Sequence, residues 1–184
     1  MDTDKIFWWG MALHHAYLGI ILWSVVVPTR RIWPPLQKWT WKYLVSWGAF
    51  LGAFAVDIFL MMNDRERWLP LGNERYALGV PLVAVGLLFL GWGVLTLGTR
   101  RSLGAAGALV TTGPYRFTRN PQYLGDILIF LGLTVMANSF RAGAGFVLLM
   151  LALLLMPLAE EPWLEETFGE AYRRYKMSTP RFFG

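Results

Sequence analysis

Tyr76–Gly98 reads YALGVPLVAVGLLFLGWGVLTLG, without one charged side chain. About 20 helical residues cross the roughly 30 Å hydrocarbon core of a bilayer, so a run this long and this apolar predicts a transmembrane helix. It does not alternate with period two, and lipid leaves only helices and closed barrels as ways to satisfy the backbone. Four further stretches read the same way: Ile6–Val27, Tyr43–Met62, Pro121–Asn138 and Ala142–Ala159. The fold expected is all-α and integral to the membrane, with five transmembrane helices and a cytoplasmic amphipathic C-terminal helix. Composition agrees. Of 184 residues, 55% are hydrophobic and 16% charged, which excludes disorder and argues against a soluble domain. The absence of Cys excludes a disulfide framework, a thiolate metal site and a cysteine nucleophile. Asp2 and Asp4 beside Lys5 make a poor signal-peptide start, so the first span is expected to remain in the mature protein.

The charges between the spans set the topology. Lys5, then Arg65, Arg67 and Arg75, then Arg141 fall on one side, five bases in all. Arg30, Arg31, Lys38 and Lys42, the four arginines from Arg100 to Arg119, and Arg173, Arg174, Lys176 and Arg181 fall on the other, twelve in all. The positive-inside rule places the twelve in the cytoplasm, with the N-terminus outside and the C-terminus inside. The net charge of +5 is therefore read as topology, and no nucleic-acid partner is expected. Trp33, Trp39 and Trp41 in the first loop are expected to anchor it at the interface.

Polar chemistry collects in two places. The first is Leu109–Gly125, LVTTGPYRFTRNPQYLG. Asn120-Pro121 reads as an N-cap and first helical position, with Arg116 and Arg119 close before it. That arrangement suits a carboxylate or phosphate, or else the arginines only fix topology. The second is Glu160–Phe183, EEPWLEETFGEAYRRYKMSTPRFF. Leu164, Phe168, Tyr172 and Tyr175 recur at helical spacing, and Glu170 to Arg174 is a candidate i,i+4 ion pair. The carboxylates there would answer the arginines of the third loop or a ligand's ammonium group.

Within the spans, Asp126 would reach the same pocket or pair with Arg119, and Asp57 would find a structural partner. His14 and His15 point about 100° apart on a helix and are read as packing residues, with no metal site expected. Gly48–Gly52 is a GxxxG read as helix packing, and Gly91-Trp92-Gly93 is read as a break in the third span.

The two polar segments, in this order and separated by a helical hairpin, resemble the isoprenylcysteine carboxyl methyltransferase and phospholipid methyltransferase family of integral membrane methyltransferases. The resemblance covers Arg100 to the C-terminus. It divides the chain into an N-terminal membrane region, 1–98, and a cofactor-binding core, 99–184. It implies S-adenosylmethionine as cofactor, bound by Arg100, Gly107, Ala108, Leu109, Val110, Tyr115, Asn120, Pro121, Gln122, Tyr123, Glu160 and Glu161. Arg119 and Glu161 are the expected catalytic pair. Arg119 would meet the cofactor's carboxylate, and Glu160 or Glu161 its ammonium. The family's Arg-His-Pro is Arg119-Asn120-Pro121 here, and an arginine it uses for a carboxylate substrate is Met156. The acceptor implied is a small lipophilic molecule met among membrane lipids, in a prokaryotic inner membrane. The competing readings are a non-catalytic subunit of a larger membrane assembly and an NADPH-dependent reductase.

Overall fold

A computed structural model describes residues 2–64, 66–103 and 107–183, the side chain of Arg100 excepted. It is all-helical: α1 (Thr3–Val26), α2 (Trp41–Asn63), α3 (Glu74–Leu97), the short α4 (Thr99–Ser102), α5 (Pro121–Ala137), α6 (Phe140–Phe168) and α7 (Glu170–Ser178). Four of these, α1, α2, α3 and α6, are long and apolar enough to cross a membrane. The fifth expected span is a shorter apolar helix of 17 residues, bounded by Pro121 at its start and by Asn138 in the left-handed conformation at its end. At 1.5 Å per residue α5 is about 25 Å long, short of a 30 Å core.

Local chemistry sets the ends. Asp2 caps α1 by accepting from the Asp4 amide, and Thr40 caps α2 by accepting from the Tyr43 amide. Ser139 caps α6 through the Ala142 amide and donates to Asp64 at 2.5 Å. Asn138 bonds the main chain of Leu69 and Leu71, tying the α2–α3 loop to the α5–α6 turn. Arg141 joins Asp4, Asp64 and Glu66 at that same end.

Helix α6 is the hub, packing on α1, α2 and α5, while α3 lies outside against α5. Phe146, Leu149, Ala152, Leu153 and Met156 of α6 are buried, and Phe146 stacks on Phe130 with ring centres 5.7 Å apart. The α3–α5 contact is built on glycine. Gly79, Gly86 and Gly93 recur every seven residues and meet Gly132, Gly125 and Gln122 in antiparallel order. A Cβ on Gly125 would sit 2.6 Å from the Leu90 amide nitrogen, so only glycine permits this approach. The packing expected at Gly48 and Gly52 is not of this kind. A Cβ on Gly48 would meet nothing within 4 Å, and one on Gly52 only Leu13 at 3.7 Å. Nor do Gly91 and Gly93 break α3, which runs unbroken through them; Gly93 is instead where Gln122 packs.

Asp57 finds its partner in His14. The two side chains are 1% exposed, with Nε2 2.9 Å from Oδ2, and the His14 Nδ1–H donates to the Gly10 carbonyl at 2.7 Å. His15 instead faces outward and bonds the Met11 carbonyl.

The C-terminal segment differs from the expected separate helix. α6 continues through Pro157 and Pro162 to Phe168, and the chain turns only at Gly169, whose φ is +53°. Twenty-nine residues make about 43 Å of helix, so its last turns project past a 30 Å core. Tyr172 and Tyr175 are the buried face of α7, and Glu170 pairs with Arg173 at 3.7 Å rather than with Arg174.

Candidate functional site

The start of α5, the polar end of α6 and the C-terminal tail converge at one end of the bundle. Arg119 is the junction. Its Nη2 donates to Glu161 at 2.9 Å, and its Nη1 donates to the carbonyls of Lys176 and Thr179 at 2.8 and 2.9 Å. Its amide donates to the Pro180 carbonyl at 2.9 Å. Arg181 grips the same Glu161 with Nε and Nη2, both at 2.8 Å, while Lys176 lies 3.6 Å away. These bonds to Glu161 raise the Arg181 guanidinium above its ordinary range. The Arg181 carbonyl in turn accepts from Thr118 Oγ1 and Asn120 Nδ2. The tail is thus a strap laid along the start of α5.

Beside this strap lies a largely apolar cavity. The structure places Gly107, Ala108, Leu109, Val110, Tyr115, Arg119, Asn120, Pro121, Gln122, Tyr123, Glu160 and Glu161 around it, with Tyr172 and Tyr175 closing one side. Arg100 carries no description here, its side chain lying outside the described residues. Its neighbour Arg101 does line the cavity, packs beneath Gly107 and donates to the Ala108 carbonyl at 3.3 Å. Asn120 occupies the N-cap position of α5, yet its side chain does not cap the helix, and its Nδ2 donates instead to the Arg181 carbonyl. Asp126 lines no part of the cavity, and Arg119 is paired with Glu161 instead of with it.

Glu160 and Glu161, adjacent in sequence, have unlike surroundings. Glu161 is surrounded by cations. Glu160 accepts from the Trp33 indole N–H at 2.8 Å and from the Tyr123 hydroxyl, both on Oε1. Gln122 donates to Tyr115 Oη at 2.8 Å and to Ser102 Oγ at 3.0 Å, and Tyr175 Oη donates to the Tyr115 carbonyl at 2.7 Å. Burial pushes the Tyr115 phenol up to about 12, and it pushes Tyr172 and Tyr175 upward as well. All three are neutral hydrogen-bonding groups near pH 7, not bases.

The cavity's chemistry is that of a zwitterion beside an apolar body. Glu160 offers a carboxyl group, and Arg119 Nε is buried with no partner among the described residues. Leu97, Leu109, Val110, Pro157 and Leu164 supply apolar walls.

The comparisons agree with that chemistry. The sequence model of the family described as phospholipid methyltransferase matches residues 74–171, more than half of the chain. The chain belongs to the phospholipid methyltransferase family. Among curated proteins it is similar to the cobalt-zinc-cadmium resistance protein CzcN of Cupriavidus metallidurans, 36% identical over 109 residues, or 58% of this chain and 46% of that one. It is also similar to the nickel-cobalt-cadmium resistance protein NccN of Alcaligenes xylosoxydans xylosoxydans, 36% identical over 110 residues with the same shares covered. A steroid 5-alpha-reductase, DET2 of Solanum lycopersicum, is 28% identical over 104 residues, covering 56% of this chain and 40% of that protein. The chain thus spans less than half the length of these curated relatives. No solved structure matches it.

The sequence does not mark Trp33, Lys176 or Arg181 as site residues, and nothing in it separates Trp33 from the other first-loop tryptophans expected to anchor at the interface. Trp39 and Trp41 are exposed, but Trp33 is 6% exposed and faces the cavity. Arg181 carried a signal, as a lone base in a Pro-Arg-Phe-Phe end that is otherwise apolar.

Proposed function

We propose that this protein transfers a methyl group from S-adenosylmethionine to a small lipophilic acceptor at the cytoplasmic face of the membrane. What supports the reading is the convergence of Glu160, Glu161, Arg119 and the Gly107–Val110 backbone on one cavity, in a chain that belongs to the phospholipid methyltransferase family. The cofactor supplies a methyl group already activated on a sulfonium.

Glu160 takes the ammonium of the cofactor's amino-acid part, and the free Nε–H of Arg119 donates to its carboxylate. Glu161, held between Arg119 and Arg181, fixes the strap that closes the cavity. The apolar walls exclude water and admit the acceptor's hydrocarbon, so the residues contribute alignment more than proton transfer. An acceptor carboxylate finds little here. Met156 is apolar and buried, so it offers no counter-charge. We take 99–184 as the cofactor-binding core, with Trp33, Pro34 and Leu97 as the contributions to the cavity from 1–98.

We further propose that α5 crosses the membrane as a fifth span. Its start lies at the cavity and its end at Asn138, the two polar ends of the bundle, and 17 residues is the lower limit for a span. The charge asymmetry supports an N-terminus outside and a cavity on the cytoplasmic side, in what we take to be a prokaryotic inner membrane.

The test is methyl transfer in nanodiscs. Protein is incubated with tritiated-methyl S-adenosylmethionine and bacterial lipid extract, and the organic phase is counted. The reading expects counts that disappear with Glu160→Gln and with Arg119→Ala. Binding of NADPH without binding of S-adenosylmethionine would replace it with the reductase reading. Binding of neither by folded protein would favour the structural subunit.

A further inference from the structure

The family match begins at residue 74, yet the cavity has a wall from earlier in the chain. Trp33 and Pro34 come from the loop between α1 and α2, and Trp33 is buried against Glu160. Its position is built. The buried Ser24 Oγ accepts from the Trp33 amide at 2.9 Å and from the Ile32 amide at 3.0 Å, and donates to the Ile20 carbonyl at 2.7 Å. That three-way bond fastens the loop to the last turns of α1. The indole then meets Trp47 edge-on, with ring centres 6.0 Å apart. An interface anchor needs none of this, since its ring would face lipid headgroups as Trp39 and Trp41 are free to do.

The geometry points to Trp33 as a positioning residue for cofactor binding, acting through Glu160. This rests on the methyltransferase reading above. The indole N–H and the Tyr123 hydroxyl both donate to Oε1 of Glu160, and among the described residues Oε2 accepts no hydrogen bond. Two fixed donors on one oxygen hold the carboxylate in one orientation and leave the other oxygen for the cofactor's ammonium group. The N-terminal region therefore completes the site and does more than hold the core in the bilayer.

Trp33→Phe keeps an aromatic ring in the slot and removes only the N–H. The probes are S-adenosylmethionine and 5′-methylthioadenosine, which lacks the amino-acid part that Glu160 would meet. Both are titrated calorimetrically into nanodisc-embedded protein. The expected result is about a tenfold loss of S-adenosylmethionine affinity, the size of one hydrogen bond to a charged group. Methylthioadenosine affinity should stay within twofold, which also reports an intact cavity. In a Glu160→Gln background the further effect of Trp33→Phe should fall below threefold, because the group it orients is no longer a carboxylate. Equal losses for both ligands would overturn the proposal, since a structural role moves both. Unchanged affinity for both would overturn it too. If the wild-type protein binds neither ligand, the methyltransferase reading fails first, and the two failures are told apart by that control.

Discussion

Arg181→Ala removes the side chain that joins the tail to Glu161 while leaving every backbone bond of the strap in place. Two hydrogen bonds of 2.8 Å to a carboxylate are lost. Each would be worth about 1.5–3 kcal/mol if buried. Arg181 is 37% exposed, though Glu161 is only 8% exposed, so water recovers much of that value. A total of about 1.5–2 kcal/mol remains, or a ten- to thirtyfold change in a local equilibrium. The reporter is the Arg119 amide, whose hydrogen bonds to the Pro180 carbonyl at 2.9 Å only while the strap is down. Hydrogen–deuterium exchange read by mass spectrometry should show this amide exchanging ten- to thirtyfold faster in the variant. The amide of Phe146, in the middle of α6, should be unchanged, and Arg181→Lys should recover part of the protection. Arg119 exchange within twofold of wild type would show that Arg181 does not hold the strap down. Equal acceleration at Phe146 would place the contribution of Arg181 in the whole fold instead of the strap.

The α3–α5 contact predicts that Gly125→Leu lowers stability by at least about 3 kcal/mol, because the obstacle is Leu90 and Gly86 backbone and cannot rotate away; Gly48→Ala, inside α2 and facing open space, should instead hold or raise the unfolding midpoint in the same denaturation assay. His14→Ala and Asp57→Ala should each destabilise by about 3 kcal/mol, and the double variant by less than their sum, since each single change strands a buried polar partner. A double-mutant cycle that sums without coupling would contradict that pairing. Raising the pH should weaken the fold between about pH 10 and 12. An unfolded tyrosine loses its proton near 10 and Tyr115 holds its own to about 12, so the unfolded state binds fewer protons in that window and stability falls as pH rises. Tyr115→Phe should flatten that fall, measured as the thermal midpoint against pH.

Apolar length was enough to read four of the five expected spans. Tyr76–Gly98 and α3, Glu74–Leu97, differ by two residues or fewer at each end, because a run without charge can do little else in lipid. Where the chain ends a helix by geometry, the reading was poorer. Gly169 turns by a positive φ in a segment whose apolar spacing runs straight through it. The two polar segments were legible as neighbours because opposite charges at both had to find partners, and Arg119 and Glu161 did so. Which partner each would choose was not legible. Asn120 looked like a cap, but its carbonyl partner at Arg181 lies 61 residues on. Trp33 looked like Trp39 and Trp41, and what separates it is Ser24 before it and Glu160 127 residues after it. The α3–α5 seam had a signal in the seven-residue spacing of Gly79, Gly86 and Gly93, matched by Gly125 and Gly132. The GxxxG at Gly48 drew the packing role because it is the shorter and more familiar pattern.

Whether the cavity beside the strap holds S-adenosylmethionine by its amino-acid part decides the proposed function. The direct measurement is calorimetric titration of S-adenosylmethionine into the wild-type protein in nanodiscs, with Glu160→Gln alongside. One site per chain with micromolar affinity, weakened at least tenfold by Glu160→Gln, is the predicted result. Binding that Glu160→Gln leaves untouched, or no binding by protein whose helicity shows it folded, would contradict the proposed function.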